Sequence, residues 1–198
     1  LNLLIRYDTF QIAVQYFSFA LAGLPYMGVG RNLSYRKSLF YRHNGFINHY
    51  HISSGDDDLF INAAATKTNT HIVLSPDTHV FSEPKTTFKS WFIQKRRHFT
   101  TGKYYKPLNK NLLGGLALSG VLYYASFIFL LANQFYLPVV LGIHAFRLLN
   151  RMLLYGYATK KLSERKLYLF SPILDPFFTF FNPLIHISGR LFKSKKWK

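Results

Sequence analysis

The chain has 198 residues, enough for one domain and an appendage, and carries 25 Lys+Arg against 8 Asp+Glu, a net of +17. Hydrophobic residues make up 49% and aromatic residues 18%, with 20 Phe and 14 Tyr, which predicts a membrane-associated segment. With no cysteine, disulfide frameworks and thiolate metal sites are excluded, and the excess of cations calls for an anionic partner.

The chain opens on Leu1 inside a helical pattern, as a piece of a longer protein would, and no charged segment precedes an apolar one as in a signal peptide. Phe10, Val14, Phe17 and Leu21 form one apolar stripe on a helix that stops near Gly23-Leu24-Pro25. Gly28 and Gly30 mark a loop, and a second helix starts near Ser38. Asn32 and Arg36, four apart, are placed on one helix face. Gly45 to Gly55 reads as a polar loop. His49 and His51 alternate there as on a strand, but no third ligand stands at a metal-binding spacing. Leu59 to Thr66 reads as a helix with Asp56, Asp57 and Asp58 at its start. Ile72-Val73-Leu74 and His79-Val80-Phe81 read as short strands around a Pro76-Asp77 turn. Phe88 to Thr100 reads as a helix carrying Gln94-Lys95-Arg96-Arg97-His98.

From Leu112 to Phe146 there is no Asp, Glu, Lys or Arg. About 20 residues cross a bilayer core, so this stretch predicts a membrane hairpin, Leu112–Leu131 and Phe135–Leu149, turning near Asn133-Gln134. Lys103, Lys106 and Lys110 precede it; Arg147, Arg151, Lys160, Lys161, Arg165 and Lys166 follow it. Basic residues on both flanks place both ends on the cytoplasmic side. Leu167–Ser188 is apolar but interrupted by Pro172, Asp175-Pro176 and Pro183, and Lys193, Lys195, Lys196 and Lys198 follow. A broken helix at the membrane interface fits this stretch at least as well as a third span.

Three adjacent carboxylates exceed what capping a helix needs. A chain this short of acids keeps them together where negative charge has a task, such as taking a proton from an attacking hydroxyl. The cationic cluster some forty residues later suits an anionic leaving group. Gly55-Asp56-Asp57-Asp58-Leu59, Gln94 to His98 and Gly28 to Arg36 together resemble the C-terminal half of a membrane-associated family 2 glycosyltransferase, over about Leu1 to Lys198. In that family an acidic motif supplies the base and a Gln-x-x-Arg-Trp motif lies beside the donor diphosphate and the acceptor.

The resemblance implies an α/β fragment, the acceptor-side part of a GT-A type domain, followed by a mainly α-helical membrane region. Residues 1–110 would be the catalytic part, 111–150 the hairpin, and 151–198 a basic loop, a third membrane or interfacial segment and a basic tail. Asp56 is the base if the motif is aligned on Leu59, Asp57 if it is aligned on Gly55. Arg97 would meet the diphosphate and Gln94 the diphosphate or acceptor. His98 stands where the family has Trp and offers less surface to a sugar ring. Asn32 and Arg36 would touch acceptor or donor. A divalent metal (Mg or Mn) would belong to the full-length enzyme, with ligands mostly upstream of these residues.

The expected activity is inverting transfer of a sugar from a nucleotide-diphosphate donor to a glycan or lipid-linked acceptor, at an inner or plasma membrane with the catalytic part cytoplasmic. The alternative is a non-enzymatic basic membrane protein that binds anionic lipids or scaffolds partners. Nucleic-acid binding is disfavoured, because the cations gather at membrane flanks rather than along one soluble face.

Overall fold

The computed structural model describes residues 1–52, 54–164 and 166–191, with the side chains of 190 and 191 left aside. Seven α-helices are described: α1 Asn2–Leu21, α2 Lys37–Arg42, α3 Asp56–Ala64, α4 Phe88–Thr101, α5 Pro107–Ala132, α6 Leu137–Lys161 and α7 Ser171–Leu191. Short 3-10 turns lie at Gly30–Asn32, Ile47–His49, Pro76–Thr78, Gly102–Tyr104 and Leu167–Phe170.

The expected α/β class is corrected: the described residues contain no strand, and the fold is all-helical. Ile72–Leu74 and His79–Phe81 run outside regular structure on either side of the Pro76–Thr78 turn. A strand exists only with a ladder partner, and none is described here. Val73, Val80 and Phe81 are exposed, Phe81 at 90% and Val73 at 60%, and Ile72, Leu74 and His79 are only half-buried, so no sheet face is fully buried against a core. His49 and His51 likewise lie in a 3-10 turn and an adjoining turn rather than on a strand. Asn32 closes a 3-10 turn and Arg36 caps α2, so they share no helix face.

One compact unit comprises Leu1–Asn111 and the described residues from Leu184 to Leu191; the other is Leu112–Pro183. In the first unit, α1 ends where Gly23 turns to φ +80°, as the sequence predicts. Buried Lys95 of α4 pairs with buried Asp8 of α1 and ties the two helices together. Asn62 of α3 is buried and acts as a clamp. Its amide donates to the Tyr26 carbonyl at 3.0 Å, and its carbonyl accepts the Lys106 N–H at 2.8 Å. Phe60 of α3 sits among Tyr35, Phe40 and Phe46, with ring centroids 4.7, 5.6 and 6.1 Å away. This aromatic cluster fixes the Gly28–Phe46 stretch against α3.

In the second unit, α5 and α6 are long and apolar enough to cross a membrane, and only 6% of the most apolar stretch of each is buried within the protein. The turn between them, 133–136, holds Gln134 and Tyr136 at positive φ, near the expected position. α6 runs past the expected Leu149 to Lys161 and carries Arg147 and Arg151. Leu167–Ser188 is not broken: after a 3-10 turn, α7 continues through Pro176 and Pro183. Each of these prolines removes one helix hydrogen bond without ending the helix. Arg165 and Lys193, Lys195, Lys196 and Lys198 lie outside the described residues.

The polar centre of this unit was not foreseen. Asp175 of α7 is buried and pairs with Arg151; Arg147 lies 3.9 Å away. The Tyr124 hydroxyl of α5 donates to Asp175 at 2.9 Å, and the Arg147 guanidinium rests 3.6 Å from the Tyr123 ring centre. Two of the arginines counted among the basic residues that follow the hairpin satisfy a buried carboxylate. Buried charges of this kind persist only when paired.

Candidate active site

The site begins at Gly55, the N-cap of α3, which sits at φ +82°. Any β-carbon there would come within 2.3 Å of the Thr101 methyl, at the end of α4. Glycine thus permits both the left-handed turn and the close approach of two helix ends. It places the three Asp in the first turn of α3, where exposed backbone N–H groups favour negative charge.

Successive helical residues point about 100° apart, so the three carboxylates have three different surroundings. Asp56 is exposed and has no hydrogen-bond partner among the described residues. Asp57 is half-buried and held at both oxygens: Oδ2 accepts the Gly30 N–H at 2.6 Å and Oδ1 the Asp58 N–H at 2.9 Å. Asp58 turns inward, where the Tyr105 hydroxyl and the Gly28 N–H donate to it. Burial, and then the neighbouring Asp57 charge, push the Asp58 carboxyl up to about 7. Burial also raises the hydroxyls of Tyr26 and Tyr105, with the Asp58 charge adding to the effect.

Asp56 and Asp57 open onto a cavity of about 340 Å³, completed by Gly30, Leu33, Ser34, Tyr35 and Phe46. Its described lining includes neither Asn32 and Arg36 nor Gln94, Arg97 and His98. The α4 cluster divides. Lys95 turns inward to Asp8, the Arg96 stem lies against Gly189, and Gln94 and Arg97 are half-buried. His98 keeps an open surface, yet lost solvation and then the Arg97 charge hold its imidazole below the ordinary value. Asp57 opposes that shift, and Arg31 adds to it, so His98 lies within electrostatic reach of Asp57 and of two arginines.

Sequence reasoning missed Asp58 as a buried group distinct from its neighbours. It also missed Tyr35 and Phe46 as cavity walls, and Arg31, whose guanidinium donates to the Ser82 hydroxyl. The Gly28-Val29-Gly30 motif did mark the loop that bonds to Asp57 and Asp58.

The described residues do not gather into a metal centre. Among the described residues no group of three or more His, Asp or Glu gathers at one point. Asp57 is occupied by two N–H donors, and Asp58 by Tyr105 and Gly28. The expected divalent ion therefore enters no step below. No family model, no curated protein and no solved structure matches this chain.

Proposed function

We propose that this chain is the acceptor-side part of a membrane-bound inverting glycosyltransferase, which moves a sugar from a nucleotide-diphosphate donor to a hydroxyl acceptor. The observation that carries the reading is the division of labour within one helical turn. Asp56 is solvent-exposed at the mouth of a cavity, and Asp57 beside it is oriented by two N–H bonds. Asp56 takes the proton as the acceptor hydroxyl attacks the anomeric carbon. Asp57 fixes the Gly30 loop that forms the opposite wall. Arg97, with Gln94 on the same helix, stabilises charge on the departing diphosphate. The nucleotide-binding half and the metal ligands belong, on this reading, to sequence outside these residues.

The two apolar helices anchor the enzyme, with the catalytic part on the cytoplasmic side, where basic flanks favour retention. A non-enzymatic lipid-binding role explains the charge but leaves unexplained a cavity whose described charged walls are both acidic. Arg97→Ala tests the assignment to the diphosphate. Turnover and product inhibition by nucleoside diphosphate should both weaken, by about 2–4 kcal/mol in transition-state terms. Unchanged kinetics and unchanged inhibition would remove Arg97 from the site.

A further inference from the structure

We infer that the cavity bounded by Tyr35, Phe46 and Asp56 receives a neutral sugar, so that the acceptor is a sugar hydroxyl rather than the phosphate oxygen of a lipid carrier. The inference rests on the transferase reading and narrows its acceptor.

Charge is the first argument. The chain carries a net of +17, yet the charged groups described in this lining are the carboxylates Asp56 and Asp57. Two carboxylates repel a phosphate and accept hydrogen bonds from hydroxyls. Ser34 adds a hydroxyl to the wall. A polyol satisfies such a surface, whereas an anion would need a cation that the described lining does not offer.

Shape is the second argument. A pyranose ring presents an apolar face of C–H groups beside its hydroxyls, and an aromatic ring covers such a face. The Tyr35 ring is 40% exposed, and its placement is fixed from behind. It stacks on Phe40 at 5.6 Å and 11°, and leans on Phe60 at 4.7 Å. Phe60 itself is buried at the base of the cluster. A platform held in this way loses little freedom on binding, which favours affinity. The cavity of about 340 Å³ falls at the low end of the roughly 300–1,000 Å³ of small-molecule sites, a size suited to a terminal sugar rather than a long segment.

His98 stands where the family pattern has a Trp. On this account the stacking surface is supplied across the cavity from α3 by Tyr35, and α4 need not provide it. Tyr35 is thus a binding and specificity residue, while Asp56 performs the proton transfer.

The test uses the whole chain in lipid nanodiscs and saturation-transfer NMR, with methyl β-glucoside, methyl β-galactoside, methyl β-N-acetylglucosaminide and farnesyl phosphate as probes. At least one neutral glycoside should bind saturably. Tyr35→Ala should weaken that binding tenfold or more, Tyr35→Phe should stay within about twofold of wild type, and farnesyl phosphate should not displace the sugar. Circular dichroism establishes that each variant is folded, and Tyr35→Phe keeps the test valid if Tyr35→Ala is not. Absence of saturable glycoside binding, unchanged binding in folded Tyr35→Ala, or displacement by farnesyl phosphate would overturn the inference. Transfer onto farnesyl phosphate by the enzyme extended upstream would also overturn it, while leaving the transferase reading intact. That reading fails separately, if Asp56→Asn and Asp57→Asn both keep full turnover.

Discussion

The backbone N–H of Gly30 donates to Asp57 Oδ2 at 2.6 Å, across 27 residues of sequence. A β-carbon on Gly30 would stand 3.0 Å from the same oxygen, so the loop and the carboxylate are fitted to each other without slack. One wall of the cavity is therefore positioned by a residue of the opposite wall.

Gly30→Ala should disturb this fit. The Asp57 carboxylate must shift by a few tenths of an ångström and lengthen one of its bonds. A misplacement of about 1 Å can cost on the order of 10²-fold in rate, so on the proposed function this smaller shift should lower turnover by about tenfold. Melting temperature, read by circular dichroism, should change little, because Gly30 itself is exposed. A large loss of stability with normal turnover in the remaining folded enzyme would contradict this.

Asp58 makes folding pH-dependent. Its carboxyl is raised from the usual 3.8 to about 7 when folded, so the folded state favours the protonated form. The stability this gives is full below the unfolded value and is lost as pH rises through about 7. Asp58→Asn can accept from Gly28 and cannot ionise. The advantage of the variant over wild type in thermal melts should grow from pH 5 to about pH 7 and level off by pH 8. A constant difference across that range would mean that Asp58 does not titrate there.

The Asp8–Lys95 pair is buried at both ends. Removing one partner strands a charge, at a cost of about 3–5 kcal/mol. Chemical denaturation of Asp8→Ala should show a loss of that order, and the Asp8→Leu, Lys95→Met double substitution should recover most of it. Equal damage in the single and double variants would indicate that packing, not charge, holds α1 to α4.

Membrane topology is read by cysteine labelling, which this Cys-free chain suits. A cysteine at Asn133, in the turn between α5 and α6, should react with an impermeant reagent from outside the cell. One at Ser163, beyond the end of α6, should react only after permeabilisation. Outside labelling at Ser163 would overturn the hairpin.

The helices were legible because their signals are local. The stripe from Phe10 to Leu21 and the glycine after it define α1, and the uncharged run from Leu112 defines α5 and the start of α6. The two strands were misread for the same reason: Ile72–Leu74 and His79–Phe81 have strand-like composition around a turn, but a ladder needs a partner elsewhere in the chain. The pairing of Arg147 and Arg151 was not legible because their carboxylate, Asp175, is some 25 residues away and hidden in a proline-rich stretch. At the site, the sequence marked the turn of α3 but could not separate its three Asp. Only packing against Tyr105 and the Gly28 loop turns Asp58 inward and leaves Asp56 at the cavity. Tyr35 carried no readable signal, since its exposure depends on Phe40 and Phe60 behind it.

The most direct test is sugar transfer from a panel of radiolabelled nucleotide sugars by the protein extended to include the nucleotide-binding half that the proposed function requires, with Asp56→Asn and Asp57→Asn measured beside wild type. Loss of a general base costs about 10²–10⁴-fold. The account predicts a fall of that size in Asp56→Asn with acceptor KM little changed, and a smaller fall in Asp57→Asn. Wild-type turnover in both folded variants would contradict it.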